Sequence, residues 1–174
     1  MTLNTELADV TLRPWAATDA ESLVHHANNR AIWRNMTGLF PHPYTAEDAA
    51  RWVDVATRPG RDVQRAICVG GVACGGIGLM AGTDVRRATA AFGYWLGETY
   101  WGRGIATAAA RRMVELAEQS GDFARLQATV YQWNPASMRV LERAGFEREG
   151  VLRKSITKDG QLIDSVLFAR VFGA

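Results

Sequence analysis

"GETYWGRGIATAAARRMVELAEQ" occupies residues 97–119 and follows an apolar run, "ATAAFGYWL" (88–96). The run reads as a strand, and a helix follows from about 103 to 120. Between them Gly102 and Gly104 bracket Arg103. Two glycines this close let the backbone turn tightly and approach another molecule. A helix that starts directly behind such a turn offers unpaired N–H groups and the positive end of a dipole, where an anion can rest. A plain tight turn packed with small residues would show the same letters, and the pattern alone leaves the two readings level. Ala106, Ala110, Met113, Val114 and Ala117 form the helix's apolar stripe.

Working outward, "DVTLRPW" (9–15) alternates and reads as a first strand, with Asp19 expected to cap a helix through "AESLVHHANN". A short helical piece is expected around 31–36. Thr45 then suits the N-cap of a further helix with acidic residues in its first turn. "VQRAICVGGVACGGIGLMAG" (63–82) reads as a hairpin turning at Gly70-Gly71, and "RATAAFGYWL" (87–96) as the third strand of that group. After the glycine loop and its helix come a strand, "RLQATVYQW" (125–133), and a short helix in "NPASMRVLERAG" that Gly145 can end. The last stretch reads as two strands turning at Lys158–Gly160. The order predicts one α/β (α+β) domain over 1–174. It has a mostly antiparallel sheet of about seven strands, flanked by helices, with one parallel βαβ crossover through the glycine loop.

The 174 residues carry 48% hydrophobic and 22% charged side chains and a net charge of +2. That balance fits a soluble globular domain and argues against nucleic acid or an acidic membrane surface as partner. "MTLNTELADV" has neither a basic start nor an apolar stretch, so no signal peptide is expected, and a cytoplasmic location follows. Cys68 and Cys74 flank the Gly70-Gly71 turn. A two-residue turn sets Cys68 opposite Ala73 and Cys74 opposite Ile67, on opposite sheet faces, which excludes a disulfide. Two thiols without further ligands make no metal site.

Two familiar phosphate loops do not fit. A P-loop needs Gly-Lys-Ser/Thr, whereas the sequence has Gly104-Ile105-Ala106; a dinucleotide fingerprint needs a third small residue where Thr107 stands. With "NPASMRVLERAGF" (134–146) one strand later, however, "GYWLGETYWGRGIATAA" resembles the RimJ/RimL-type branch of the GNAT superfamily of acyl-CoA-dependent N-acetyltransferases. "PYTAEDAARWV" is also similar to that branch's early helix. The loop fits Q/R-x-x-G-x-G/A at its glycine and final small-residue places but has Trp101 at the first, where the pattern has Gln or Arg. The resemblance is strongest over 88–152.

The resemblance implies a V-shaped opening between the two parallel strands that holds acetyl-CoA as co-substrate, with no metal. Its pyrophosphate would lie on the backbone of Gly102, Arg103, Gly104, Ile105, Ala106 and Thr107, with Asn134 and Arg143 also facing the cofactor. Gly104→Ala is expected to weaken binding with little cost to the helix. Backbone N–H groups around Tyr94, Trp95 and Leu96 would stabilise the oxyanion. Many superfamily members place a sulfur-protonating tyrosine where Leu141 stands here. Ser137 is the branch's alternative donor, with Asn134 orienting it or holding the pantetheine amide; Asn134 also suits a plain helix cap before Pro135. The family's common strand glutamate is Ala91 here. Glu98, Glu149, Asp164, His25, His26 and His42 are not ranked, and no base is named.

The acceptor is a primary amine, either a peptide N-terminus or a small molecule, and a neutral amine with pKa ~8 is easier to acetylate than a lysine at ~10.4. Trp33, Trp52, Trp95 and Asn35 are candidates for its pocket, with Asn28, Arg30 and Arg34 in the same loop. A homodimer fits the resemblance. Two other readings stay open: a transferase using another acyl-CoA such as succinyl-CoA, and a non-catalytic acyl-CoA-binding sensor.

Overall fold

The computed structural model describes residues 1–173; Ala174, the last residue of the expected domain, lies outside the described residues. Eight strands form one sheet: Leu3–Asn4 (β1), Val10–Arg13 (β2), Val63–Val69 (β3), Val72–Ala81 (β4), Thr89–Leu96 (β5), Arg125–Tyr131 (β6), Glu147–Lys158 (β7) and Gln161–Val171 (β8). Their order is β1-β2-β3-β4-β5-β6-β8-β7. The strand beyond the expected seven is β1, a two-residue piece pairing Leu3 with Leu12, too short to leave an alternating pattern. Every neighbouring pair is antiparallel except β5 and β6, which run parallel.

Both hairpin turns follow from their letters. Gly70 and Gly71 have φ of 57° and 86°, and Asp159 and Gly160 have 52° and 72°. Two successive left-handed residues make the turn whose twist matches paired strands. The first hairpin carries a bulge, because the register shifts between Ile67 and Cys68. Cys68 therefore faces Ala73 as expected, but Ile67 pairs with Gly75 and leaves Cys74 without a direct partner. The two thiols still pack in separate cores on opposite faces and are free.

The helices are Ala20–Ala27 (α1), Arg30–Trp33 (α2), Ala46–Ala56 (α3), Ile105–Ser120 (α4) and Pro135–Arg143 (α5). On one face α4 and α5 press Ile105, Ala109, Met113, Ala117 and Leu141 onto Leu12, Ile77, Phe92, Leu126 and Phe168. Met113 is fully buried, so truncating it to alanine would cost about 2–5 kcal/mol. On the other face α1, α2 and α3 pack Leu23, Ala27, Ile32 and Val53 around Trp15 and Trp95. Thr45 caps α3: its hydroxyl accepts from the Asp48 N–H, and the Asp48 carboxylate accepts from the Thr45 N–H. Asp19 does not cap α1 in that way. Its carboxylate is drawn back to Arg13, with both bonds at 2.7 Å, and to the Ala16 N–H.

The parallel pair is short. β5 and β6 meet only over Thr89–Ala91 and Arg125–Gln127. Beyond Ala91 the strands part, and a wedge opens inside the sheet.

Candidate active site

The wedge leads into a cleft of about 360 Å³ closed by the glycine loop, α5 and the segment after α2. Its wall along β5 is set by strand alternation. The Gly97 N–H donates to the Cys74 carbonyl at 2.7 Å, and the register pairs Trp95 with Gly76 and Gly93 with Gly78. The backbone groups of Gly93 and Trp95 therefore turn toward β4, and those of Tyr94 and Leu96 turn toward the wedge. Of the three residues expected to offer N–H groups, Tyr94 and Leu96 face the opening and Trp95 does not. The Leu96 carbonyl is already taken by the Trp101 indole N–H at 2.7 Å.

At the loop Gly102 and Gly104 have φ of 73° and 78°, and a Cβ added at either would meet nothing within 4 Å. The turn needs left-handed residues, and the space beside them is open. Any side chain at 104 is strained by that φ, so Gly104→Ala costs the helix start about 1–2 kcal/mol as well as crowding the cleft, contrary to the sequence expectation. Behind the loop, α4 begins with no side-chain cap and no acidic residue in its first turn. The Ala108 N–H is the first to bond back, to the Gly104 carbonyl. The N–H groups of Ile105, Ala106 and Thr107 are left for an outside acceptor. Arg139 and Arg143 add positive charge from α5. Uncapped N–H groups, free space and two guanidinium groups fit a pyrophosphate.

Gly102, Gly104, Ile105, Ala106, Thr107, Tyr94, Trp95, Leu96, Asn134, Ser137, Arg143 and Asn35 all line the cleft. Arg103 is not in the lining; its guanidinium sits 5.4 Å from the Tyr100 ring centroid. Trp52 lies elsewhere, edge-on to Trp15 in the second core. Trp33 also stays out of the lining, because Ile32, Asn35 and Met36 turn to the cleft while Trp33 packs beneath the Lys158 ammonium at 3.9 Å. Asn35 is held between the Trp133 indole N–H and the Ala31 carbonyl. Asn28 accepts from the Tyr44 N–H, and Arg30 and Arg34 pair with Asp159.

Asn134 accepts from the Ser137 N–H at 3.1 Å, the expected cap. Ser137 is also within hydrogen-bond distance of the Tyr94 hydroxyl, at 2.8 Å. Burial pushes the Tyr94 hydroxyl up to about 12, with the Ser137 hydrogen bond pulling the other way. Sequence reasoning missed this side chain and Arg139. Tyr94 and Ser137 are far apart in the chain; Arg139 and Arg143 show the i,i+4 spacing that puts two residues on one helix face.

Leu141, in the place of the usual tyrosine, is buried in the core. Among the described residues lining the cleft none is Asp, Glu or His. Glu98 is bonded by Asn29, Glu149 by Arg125, and Asp164 accepts from the Lys154 N–H. Cys74 is buried, and burial pushes its thiol up to about 12, so it is a poor nucleophile. Among the described residues no group of three His, Cys, Asp or Glu is placed to hold a metal ion, and no helix is long and apolar enough to cross a membrane.

A family model described as an acetyltransferase (GNAT) domain matches residues 9–147. The L-amino acid N-acetyltransferase AaaT of Escherichia coli is 27% identical over 166 residues, covering 95% of this chain and 99% of that protein. A ribosomal-protein-serine acetyltransferase of the same organism is 35% identical over 83 residues, 48% of this chain and 46% of that protein. The chain spans about half the length of some curated relatives it matches, 45% and 48% in two from Bacillus. Among solved structures, Mycobacterium smegmatis RimJ in complex with CoA-disulfide has a TM-score of 0.85 at 26% identity, with 98% of this chain and 87% of that one covered.

Proposed function

The chain belongs to the acetyltransferase (GNAT) family of acyl-CoA-dependent N-acetyltransferases, and on that premise we propose that it moves an acetyl group from acetyl-CoA to a primary amine by direct attack in a ternary complex. The observation that carries the reading is the wedge between β5 and β6, which ends on the uncapped start of α4. The pyrophosphate would rest on the N–H groups of Ile105, Ala106 and Thr107, with Arg139 and Arg143 beside it. The thioester would then reach the β5 wall, where the Tyr94 and Leu96 N–H groups point into the opening.

The steps follow from the groups present. The amine nitrogen attacks the thioester carbon, and the carbonyl electron pair moves onto oxygen, where the β5 N–H groups can hold it. Collapse expels the sulfur with its bonding pair, and Ser137, whose side chain lines the cleft, would supply the hydroxyl that meets it. Without a carboxylate or imidazole in the lining, the amine must enter neutral and lose its surplus proton to water. That favours an acceptor with pKa ~8 over a lysine at ~10.4. The two Escherichia coli relatives are named for different acceptors, an amino acid and a ribosomal protein. A free α-amino group, of an amino acid or a peptide, is the acceptor class this cleft suits.

The test is acetyl-CoA binding by calorimetry to the wild type and Gly104→Val, followed by thiol release with a panel of peptides and amino acids. Micromolar binding lost in a folded variant supports the loop as the pyrophosphate site. No binding by the wild type overturns acetyl-CoA as donor. The burial of Leu141 favours one rival, an acyl-CoA-binding sensor, and binding without thiol release would establish it.

A further inference from the structure

We infer that the Tyr94 side chain is a positioning residue for the acyl transfer: its hydroxyl donates to Ser137 Oγ and so turns the single Ser137 hydroxyl hydrogen toward the departing sulfur. The inference rests on the acetyl-transfer reading above.

A serine hydroxyl has one hydrogen, two lone pairs and a freely rotating O–H bond. Ser137 stands in the first turn of α5, where its backbone N–H is already bound to Asn134. A serine there can rotate its hydrogen back to the carbonyl three or four residues earlier and present only lone pairs to the cleft. Tyr94 removes that freedom. Its oxygen lies 2.8 Å from Ser137 Oγ, and both residues line the cleft. A phenol is a stronger acid than an alcohol, so of the two possible directions the tyrosine donates and the serine accepts. With one Ser137 lone pair filled, the serine hydrogen is left for a third atom.

The phenol is a dependable donor here. Its ring stands on β5 and packs edge-on to Phe92, and burial holds the hydroxyl protonated up to about 12. No proton need leave Tyr94. The C–N bond forms first, the C–S bond breaks as the oxyanion collapses, the amine's surplus proton passes to water, and the thiolate, stabilised by the Ser137 hydrogen bond, takes one proton back. A thiol of pKa ~8.5 needs only that hydrogen bond to become an adequate leaving group. The arrangement also accounts for Leu141, since a donor reaches the sulfur without a tyrosine at that place.

The experiment is a double-mutant cycle on thiol release, using acetyl-CoA and the fastest amine from a panel of short peptides and amino acids. Tyr94→Phe is expected to lower kcat roughly tenfold to a hundredfold, with KM for acetyl-CoA unchanged within about twofold. Ser137→Ala should cost at least as much, and adding Tyr94→Phe to it should cost nothing more. Ser137→Thr, which keeps a hydroxyl, should recover much of the rate. Calorimetry with acetyl-CoA checks that each variant still folds and binds. Additive losses, an unchanged kcat in Tyr94→Phe, or loss of acetyl-CoA binding in that variant would each overturn the positioning role. A wild type that binds acetyl-CoA but releases no thiol would overturn acetyl transfer and this role together. An active wild type with an unaffected Tyr94→Phe would overturn the tyrosine alone.

Discussion

The two ends of the cleft are built from different materials. The end read as holding the cofactor is made of backbone: two left-handed glycines, the open N–H groups of α4, and the turned peptide units of β5. The other end, read as facing the acceptor, is made of side chains that hold one another. Trp133 donates to Asn35, Tyr131 donates to the Met36 carbonyl, and the Arg34 guanidinium lies 4.0 Å from the Trp133 ring centroid. Below them Lys158 sits over Trp33, and Arg30 reaches Asp159 at 2.7 Å. A backbone site tolerates almost any neighbouring side chain but no added Cβ in the wrong place. A side-chain site can be rebuilt residue by residue. One family can therefore keep one donor while its members are named for different acceptors.

Substitutions at the two ends should separate them. The largest effect is expected from Gly104→Val, which forces a β-branched residue into a left-handed conformation and fills the cleft. Acetyl-CoA affinity should fall at least about a hundredfold, and calorimetry would read it; retained affinity would mean the loop is only a turn. Next comes Asp19→Asn, away from the cleft, where the end of β2 meets the start of α1. It leaves Arg13 without its carboxylate and should cost about 2 kcal/mol of stability in urea unfolding, with acetyl-CoA affinity unchanged. Asp19 is buried, which works against its charge, but the Arg13 and Ala16 bonds hold its carboxyl below the usual range. The wild type should therefore keep this stability above about pH 4 and lose it as pH falls through the folded-state value. The variant should lack that acid limb.

A smaller loss is expected at the cofactor end from Arg139→Ala with Arg143→Ala, about tenfold in acetyl-CoA affinity, and weaker still at high salt. Trp133→Phe removes one indole N–H from Asn35. It should raise the acceptor KM about threefold without moving acetyl-CoA affinity, and equal changes in both would erase the distinction between the ends. The smallest effect is expected at His26, which packs against Tyr100 and against the space a Gly97 side chain would need. Burial and the nearby His25 lower its pKa. Its contribution is complete above about pH 6.5 and is lost as pH falls through the folded value. A His26→Asn melting temperature should change less between pH 7 and pH 5 than that of the wild type.

The same contrast governs what the letters could reveal. Gly102, Gly104, the α4 stripe, the Thr45 cap and the Asn134–Ser137 cap are local arrangements, and each was readable within a few residues. The hairpin turns were readable for the same reason. Trp33 and Trp52 were misplaced because an aromatic residue's direction depends on which helix face the rest of the fold buries. Asp19 has the composition of a cap but answers to Arg13, which a neighbouring strand brings to it. The Tyr94–Ser137 contact depends on α5 returning to β5 after a crossover. No short window of sequence contains both partners.

The parting of β5 from β6 after three pairs has a consequence for the protein's hydrogen-exchange clock. A sheet usually hides its amides in the middle and spends them at its rims. Here an inner strand carries amides, those of Tyr94 and Leu96, that face a gap instead of a neighbour. In deuterated water these two should exchange early, well before Gly93 and Trp95 beside them, whose bonds to β4 persist. An extended ligand with amides of its own would slow that pair and leave the rest of the strand unchanged, so cofactor binding could be read with no acceptor present.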